Sequence, residues 1–284
     1  MELTAEYWFM FPVAIMVSTI AMSTGVGGAV FFSPIYILIL GLDPSVAIGT
    51  ALTTQLFGVS SGFYAYAKAG LIDYRLGKSL LIYSIPFAIL GSMISSYINS
   101  DLLKAIFAIG IIFIGIQLFR SWQEKRKSKT ASDQQNQFDY TLTDKAGKNY
   151  QYNIVQPMLG KLFAAIGGGF LGMISVGLAE LQEYHLVVRS KVPLVIAVAT
   201  SIFVASLTVM VASAGHFYNF LVNSSAETLN TVLKVIIFSI PGVLIGGQIG
   251  PRIQKHFSPA GLKLFISALF FFIGFSLIFS LIWQ

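Results

Sequence analysis

The 284-residue chain contains no cysteine, which excludes disulfides, thiolate metal sites and cysteine nucleophiles. Charge is almost as scarce: Asp, Glu, Lys and Arg make up 11% of the residues, whereas soluble domains carry about 25%. No Walker A loop occurs, which argues against a primary pump acting alone. The N-terminus (Met1, Glu2, Leu3, Thr4, Ala5, Glu6) is acidic and lacks a basic leader, so the first apolar segment is expected to stay in the mature protein. His216 and His256 read as isolated, solvated loop residues, and no metal or cofactor site is expected. What the chain does have is apolar surface, with 55% hydrophobic residues and a mean hydropathy of +0.76. An integral membrane protein follows, with the lipid bilayer as its surroundings. The net charge of +6 sits mainly in polar loops, the usual cytoplasmic excess of Lys and Arg, so no nucleic-acid partner is expected.

Apolar segments fall at about 8–40, 45–67, 79–98, 102–120, 158–188, 193–212, 231–250 and 261–283. The one long polar stretch, 121–156, carries Lys125, Arg126, Lys127, Lys129, Lys145 and Lys148 and reads as a flexible cytoplasmic linker between repeats at 1–120 and 157–284. From that anchor, Asp43, the turn at Asn99 and Asp101, and the stretch from Gly215 to Asn230 lie outside. Lys68, Arg75, Lys78, Arg189, Lys191, Arg252 and Lys255 lie inside. Trp8, Trp122 and Trp283 stand at segment ends, as interfacial aromatics do.

Segment 8–40 is too long for one crossing and too short for two, at about 1.5 Å per helical residue and roughly 20 residues per crossing. A hairpin of short arms meeting at Ser23, Thr24, Gly25, Val26, Gly27 and Gly28 resolves the conflict. Segment 158–188 likewise predicts a hairpin with its tip at Ser175, Val176, Gly177, Leu178, Ala179 and Glu180. The predicted fold is therefore an all-α integral membrane protein of two inverted repeats, each a broken, re-entrant helical hairpin followed by three transmembrane helices. Echoes support the repeat: Gly25 with Gly177, Thr50 and Ala51 with Thr200 and Ser201, Pro86 and Gly91 with Pro241 and Gly246, and Lys104 and Gly115 with Lys263 and Gly274, at spacings of 150 to 159.

Irregular backbone is tolerated at bilayer depth only where protein or a water-filled cavity covers it, and paired interruptions point to a transport site. Glycine tips also expose N–H groups that attract anions. The candidate substrate-binding residues are accordingly Ser23, Thr24, Gly25, Gly27, Gly28, Thr50, Gln55, Ser175, Gly177, Thr200 and Ser201. The plainer alternatives are that the glycines serve helix packing and that the hydroxyls bond their own helices. Glu180 is the candidate proton-coupling residue, because charges at bilayer depth line ion pathways and proton relays. Glu183 and His185 are expected to reach the cytoplasmic edge and pair with Arg189. Lys161 and Arg252 are explained by positive-inside anchoring, although they also suit gathering anions.

At Thr24, Gly25, Val26, Gly27 and Gly28 followed by Pro34, at Gly49, Thr50 and Ala51, and in a weaker second copy from Gly168 through Glu180 to Thr200 and Ser201, the chain resembles the TauE/SafE family of sulfite exporters and related anion permeases. The resemblance covers nearly everything outside 121–156. It implies export or uptake of sulfite, sulfoacetate or another organosulfonate across the bacterial inner membrane. Separately, the deep segments hold no aspartate and His185 is the only histidine predicted within one, so neither an enzyme nor a cofactor is expected. The second copy departs from the pattern, with Ala179 and Glu180 in place of glycines and Leu186 where the first copy has Pro34. A passive anion channel, an intramembrane enzyme and a membrane sensor are the competing classes. Small-residue faces such as Gly110 with Gly115 suit either a monomer or a homodimer.

Overall fold

The computed structural model describes residues 5–127, 138–223, 225–254 and 259–283; Lys129, Lys255 and His256 lie outside them. The described chain is helical apart from one β-hairpin. Helices α1 (Met10–Thr24) and α2 (Ala29–Leu38) form the first broken hairpin, and α3 (Pro44–Ala69), α4 (Tyr74–Ser95) and α5 (Ser100–Lys127) follow it. Strands β1 (Tyr140–Thr143) and β2 (Asn149–Tyr152) come next. The second hairpin is α6 (Pro157–Ile174), α7 (Leu178–Glu183) and a π-helical turn over Tyr184–Arg189, and α8 (Leu194–Asn223), α9 (Ala226–Ile253) and α10 (Pro259–Ile282) complete the chain. Six helices among the described residues are long and apolar enough to cross a membrane: α4, α5, α6, α8, α9 and α10.

Local chemistry sets the boundaries. Pro44 opens α3 behind Asp43, whose Oδ1 accepts from the Ser45 N–H at 3.0 Å. Asp73 caps α4 through the Leu76 N–H at 2.9 Å, and Ser225 caps α9 through the Thr228 N–H at 3.2 Å. Gly25 and Gly70 end α1 and α3 with φ of 82° and 73°, a region glycine enters without steric cost.

The packing of the two halves is reciprocal: α1 lies on α9 and α6 on α4, α3 touches α8 and α9 while α8 touches α3 and α4, and α5 pairs with α10. Glycine faces allow it. A Cβ at Gly242 or Gly246 of α9 would stand 2.5 Å from the carbonyl oxygen of Phe11 or Ile15 in α1. Gly91, Gly168 and Gly172 bring the α4 and α6 backbones equally close, against Gly169, Ser84 and Ala88. Registers show direction. Ser18 faces Gly58 and Met22 faces Gly62, so α1 runs in the same sense as α3; Gly168 faces Ser84 and Gly172 faces Ala88, so α6 runs in the same sense as α4.

Two expectations are corrected here. The 121–156 stretch is not simply a flexible linker: α5 continues to Lys127, and β1 and β2 pair antiparallel with Tyr140 opposite Tyr152, their rings stacked at 5.7 Å. The hairpin is tied down, because the Lys145 N–H donates to Ala69 O at 3.1 Å, the Tyr152 hydroxyl to Asp73 Oδ2 at 2.7 Å and the Val155 N–H to Ser190 Oγ at 3.1 Å. His216 is not a solvated loop residue either. It is 2% exposed within α8, its Nε2 lying 2.8 Å from Gly172 O. Helix α8 runs well past residue 212, because the mixed stretch that follows covers the end of α6.

Candidate functional site

Helix α1 stops where Gly25 turns left-handed and donates its N–H to Ala21 O at 2.9 Å. Thr24 Oγ1 donates back to Ile20 O at 2.9 Å and accepts from the Val26 N–H at 3.2 Å, which closes the turn. Ser23 also bonds Ile20 O, at 2.9 Å. A side chain at Gly25 would press on Val198 of α8, with its Cβ 3.0 Å from Cγ2. Gly28 heads α2, and the Ala29 N–H donates to Gln55 Oε1 of α3 at 2.8 Å.

The second tip is built differently. Ser175 takes a left-handed conformation at φ 61°, and Gly177 has φ 112°. The tips meet. Ser33 Oγ of α2 lies 2.8 Å from Ser175 Oγ, and the Glu180 carboxylate spans both interruptions: Oε1 accepts from the Gly27 N–H at 3.2 Å and Oε2 from the Gly177 N–H at 2.9 Å. Glu180 is 2% exposed. A carboxyl group of the chain itself therefore sits between the glycine tips.

Gln55 completes the centre. Its Nε2 has no hydrogen-bond partner among the described residues and lies 3.2 Å from where a Gly27 Cβ would stand. Ser201 Oγ and both polar atoms of Gln182 are likewise buried without partners. Ser201 follows Val198 by three residues, on the face of α8 that touches Gly25. The structure turns the other two hydroxyls away from this centre: Thr50 Oγ1 donates to Val46 O of its own helix at 2.7 Å, and Thr200 Oγ1 accepts from the Asp73 N–H at 3.1 Å. The cavity beside Gly28 and Gln55 holds about 10 Å³, at the lower limit for a single water.

His185 and Arg189 do not bond each other but converge on one residue. His185 Nε2 lies 3.0 Å from Val155 O and 3.3 Å from Gln156 O, and Arg189 donates to Gln156 Oε1 at 3.0 Å. Sequence reasoning missed Ser33 and Tyr36, whose hydroxyl lies 3.1 Å from Thr54 Oγ1. It also missed Tyr66, whose hydroxyl donates to Met22 O at 2.7 Å. A polar residue five positions past the last glycine of the tip, Gly28, was the available signal for Ser33 alone.

A family model described as sulfite exporter TauE/SafE matches residues 10–277, which includes both tips and all ten helices in whole or part. The chain belongs to the TauE/SafE family. Among curated relatives of this family member, the probable membrane transporter protein YunE of Bacillus subtilis is 26% identical over 273 residues, covering 94% of this chain and 95% of that protein. The probable membrane transporter protein YjnA of the same organism is 28% identical over 278 residues, covering 90% and 93%. No solved structure matches the chain. The TauE/SafE assignment makes this a membrane transporter, a class that is not enzymatic.

Proposed function

We propose that the protein is a secondary transporter that moves a small sulfur-containing anion, sulfite or an organosulfonate such as sulfoacetate, across the inner membrane by alternating access between inverted halves. The observation that carries the reading is the Glu180 carboxylate shared by the Gly27 and Gly177 N–H groups. A carboxylate marks where two backbone donors, one from each half, suit the oxygens of a substrate oxyanion. Protonated, Glu180 gives up charge-assisted bonds, each worth about 1.5–3 kcal/mol, and releases both donors to the substrate. One proton is then bound as one anion enters, which couples the two. Gln55 and Ser201 supply further neutral donors that need no buried cation.

The registers favour hairpins that enter from opposite sides: α1 follows α3, α6 follows α4, and a four-residue turn over 70–73 reverses the chain between α3 and α4. In this reading the β-hairpin side is cytoplasmic, in keeping with Arg75, Lys78, Lys148 and Arg189 there. The closed centre favours a carrier over an open anion channel, in which the same donors would face a continuous aqueous path. The test is flux of radiolabelled sulfite, sulfoacetate and taurine into proteoliposomes, with and without a pH gradient. Saturable, gradient-dependent flux of at least one is expected. Absence of saturable flux for all of them overturns the reading.

A further inference from the structure

Away from the tips, a cavity of about 180 Å³ lies under the β-hairpin. Its polar wall is Arg75 and Ser79 of α4, Tyr140 of β1, Lys161 of α6 and His185 of the π-helical turn, and Leu76, Leu80, Ile154 and Pro157 form an apolar floor. No carboxylate is in that lining. Asp139, next to Tyr140, and Glu183, two residues before His185, are outside the lining, and Asp73, two residues before Arg75, is committed to the Leu76 N–H and the Tyr152 hydroxyl. Arg75 and Lys161 make no ion pair among the described residues; the Arg75 guanidinium lies 5.8 Å from the Tyr140 ring centre and Lys161 Nζ 5.6 Å from that of Tyr83. An aromatic face orients a cation while leaving N–H groups to donate. His185 is fitted in closely: a Cβ at Gly160 would stand 2.8 Å from its Nδ1, so only glycine at 160 leaves the ring its place.

We infer that this cavity is a second anion site, which takes a small free oxyanion, a sulfite or a short organosulfonate, at the mouth of the second hairpin. The inference rests on the transport reading above and adds a docking step to it. At about 30 Å³ per water, the volume equals roughly six waters, enough for a sulfonate of two or three carbons and too little for a nucleotide. Two unpaired cations hold the charged end, and the apolar floor suits a carbon chain. His185 follows Glu180 by five residues on the arm that returns from the tip, so an anion held here waits one short helix away from the Gly27 and Gly177 donors. The β-hairpin, which supplies Tyr140 and is pinned through Tyr152, is the roof.

The test compares Arg75→Gln with Lys161→Gln, Glu180→Gln and the unaltered chain, each checked for a monodisperse elution profile. Equilibrium binding of radiolabelled sulfite and sulfoacetate is measured in detergent, with short-chain phosphatidylglycerol as competitor, alongside flux. Losing a charge-assisted bond predicts that the Arg75→Gln, Lys161→Gln double variant weakens binding and raises KM roughly tenfold or more, with kcat nearly kept. Glu180→Gln should leave binding at this cavity measurable while flux loses its pH dependence. Unchanged binding and KM in the double variant overturns the inference and leaves the transport reading intact. So does a site that binds phosphatidylglycerol but neither sulfur anion, which would make the cations lipid anchors. Absence of flux in the unaltered chain would instead strike at the transport reading.

Discussion

Glu180 was legible in the sequence as a charge in an apolar run, but its destination was not. The N–H it holds at Gly27 is 153 residues away, and nothing local encodes that approach. Thr200 shows the converse. Adjacent positions on a helix point about 100° apart, so Thr200 reaches Asp73 while Ser201 turns elsewhere, and a sequence motif cannot separate them. At this scale Gly25 is the sharpest structural test. Its φ of 82° and the Val198 contact predict that Gly25→Ala loses at least about 1–2 kcal/mol, read as a lower unfolding temperature in detergent. Equal stability would show that the first tip is looser than described.

At the scale of elements, the apolar runs and charge-bearing loops located every long helix, because length and hydropathy are what a bilayer selects. The β-hairpin escaped. Its strands do alternate, with Tyr140 and Leu142 against Thr141 and Thr143 and with Tyr150 and Tyr152 against Asn149 and Gln151, but at four residues each they are too short to stand out within a long polar stretch. It forms because Tyr140 stacks on Tyr152 and the Tyr152 hydroxyl meets a carboxylate. Tyr152→Phe should therefore release the hairpin locally, by about 1.5–3 kcal/mol, seen as faster amide exchange over 138–155 with α4 and α6 unaffected. Burial and Asp73 push the Tyr152 hydroxyl above its ordinary pKa. That stabilisation is complete below the free tyrosine value of about 10 and is lost as pH rises through the higher folded value. Hairpin protection should hold at neutral pH and fall in strong alkali, and the Phe variant should lack that alkaline step. The glycine faces make a harsher prediction: Gly172→Val drives a branched side chain into the Ala88 carbonyl of α4 and should abolish the folded, monodisperse protein.

For the whole molecule, the reciprocal pairing of helices is what makes one centre out of two hairpins, since each tip is completed by the other half. The absence of cysteine makes the arrangement directly testable. Lys148→Cys and Asp101→Cys should be labelled by a membrane-impermeant thiol reagent from opposite sides, the first from the cytoplasm. Labelling of both from one side would refute the topology. In the proposed transport cycle the Glu180 carboxylate stands where the substrate oxyanion binds and releases the tips when it takes a proton. The most direct measurement is sulfur-anion flux in proteoliposomes across a range of pH for the unaltered chain and for Glu180→Gln. Proton-dependent flux is expected in the first and loss of that dependence in the second, which keeps shape but cannot titrate. A Glu180→Gln protein with the same flux and the same pH profile would contradict it.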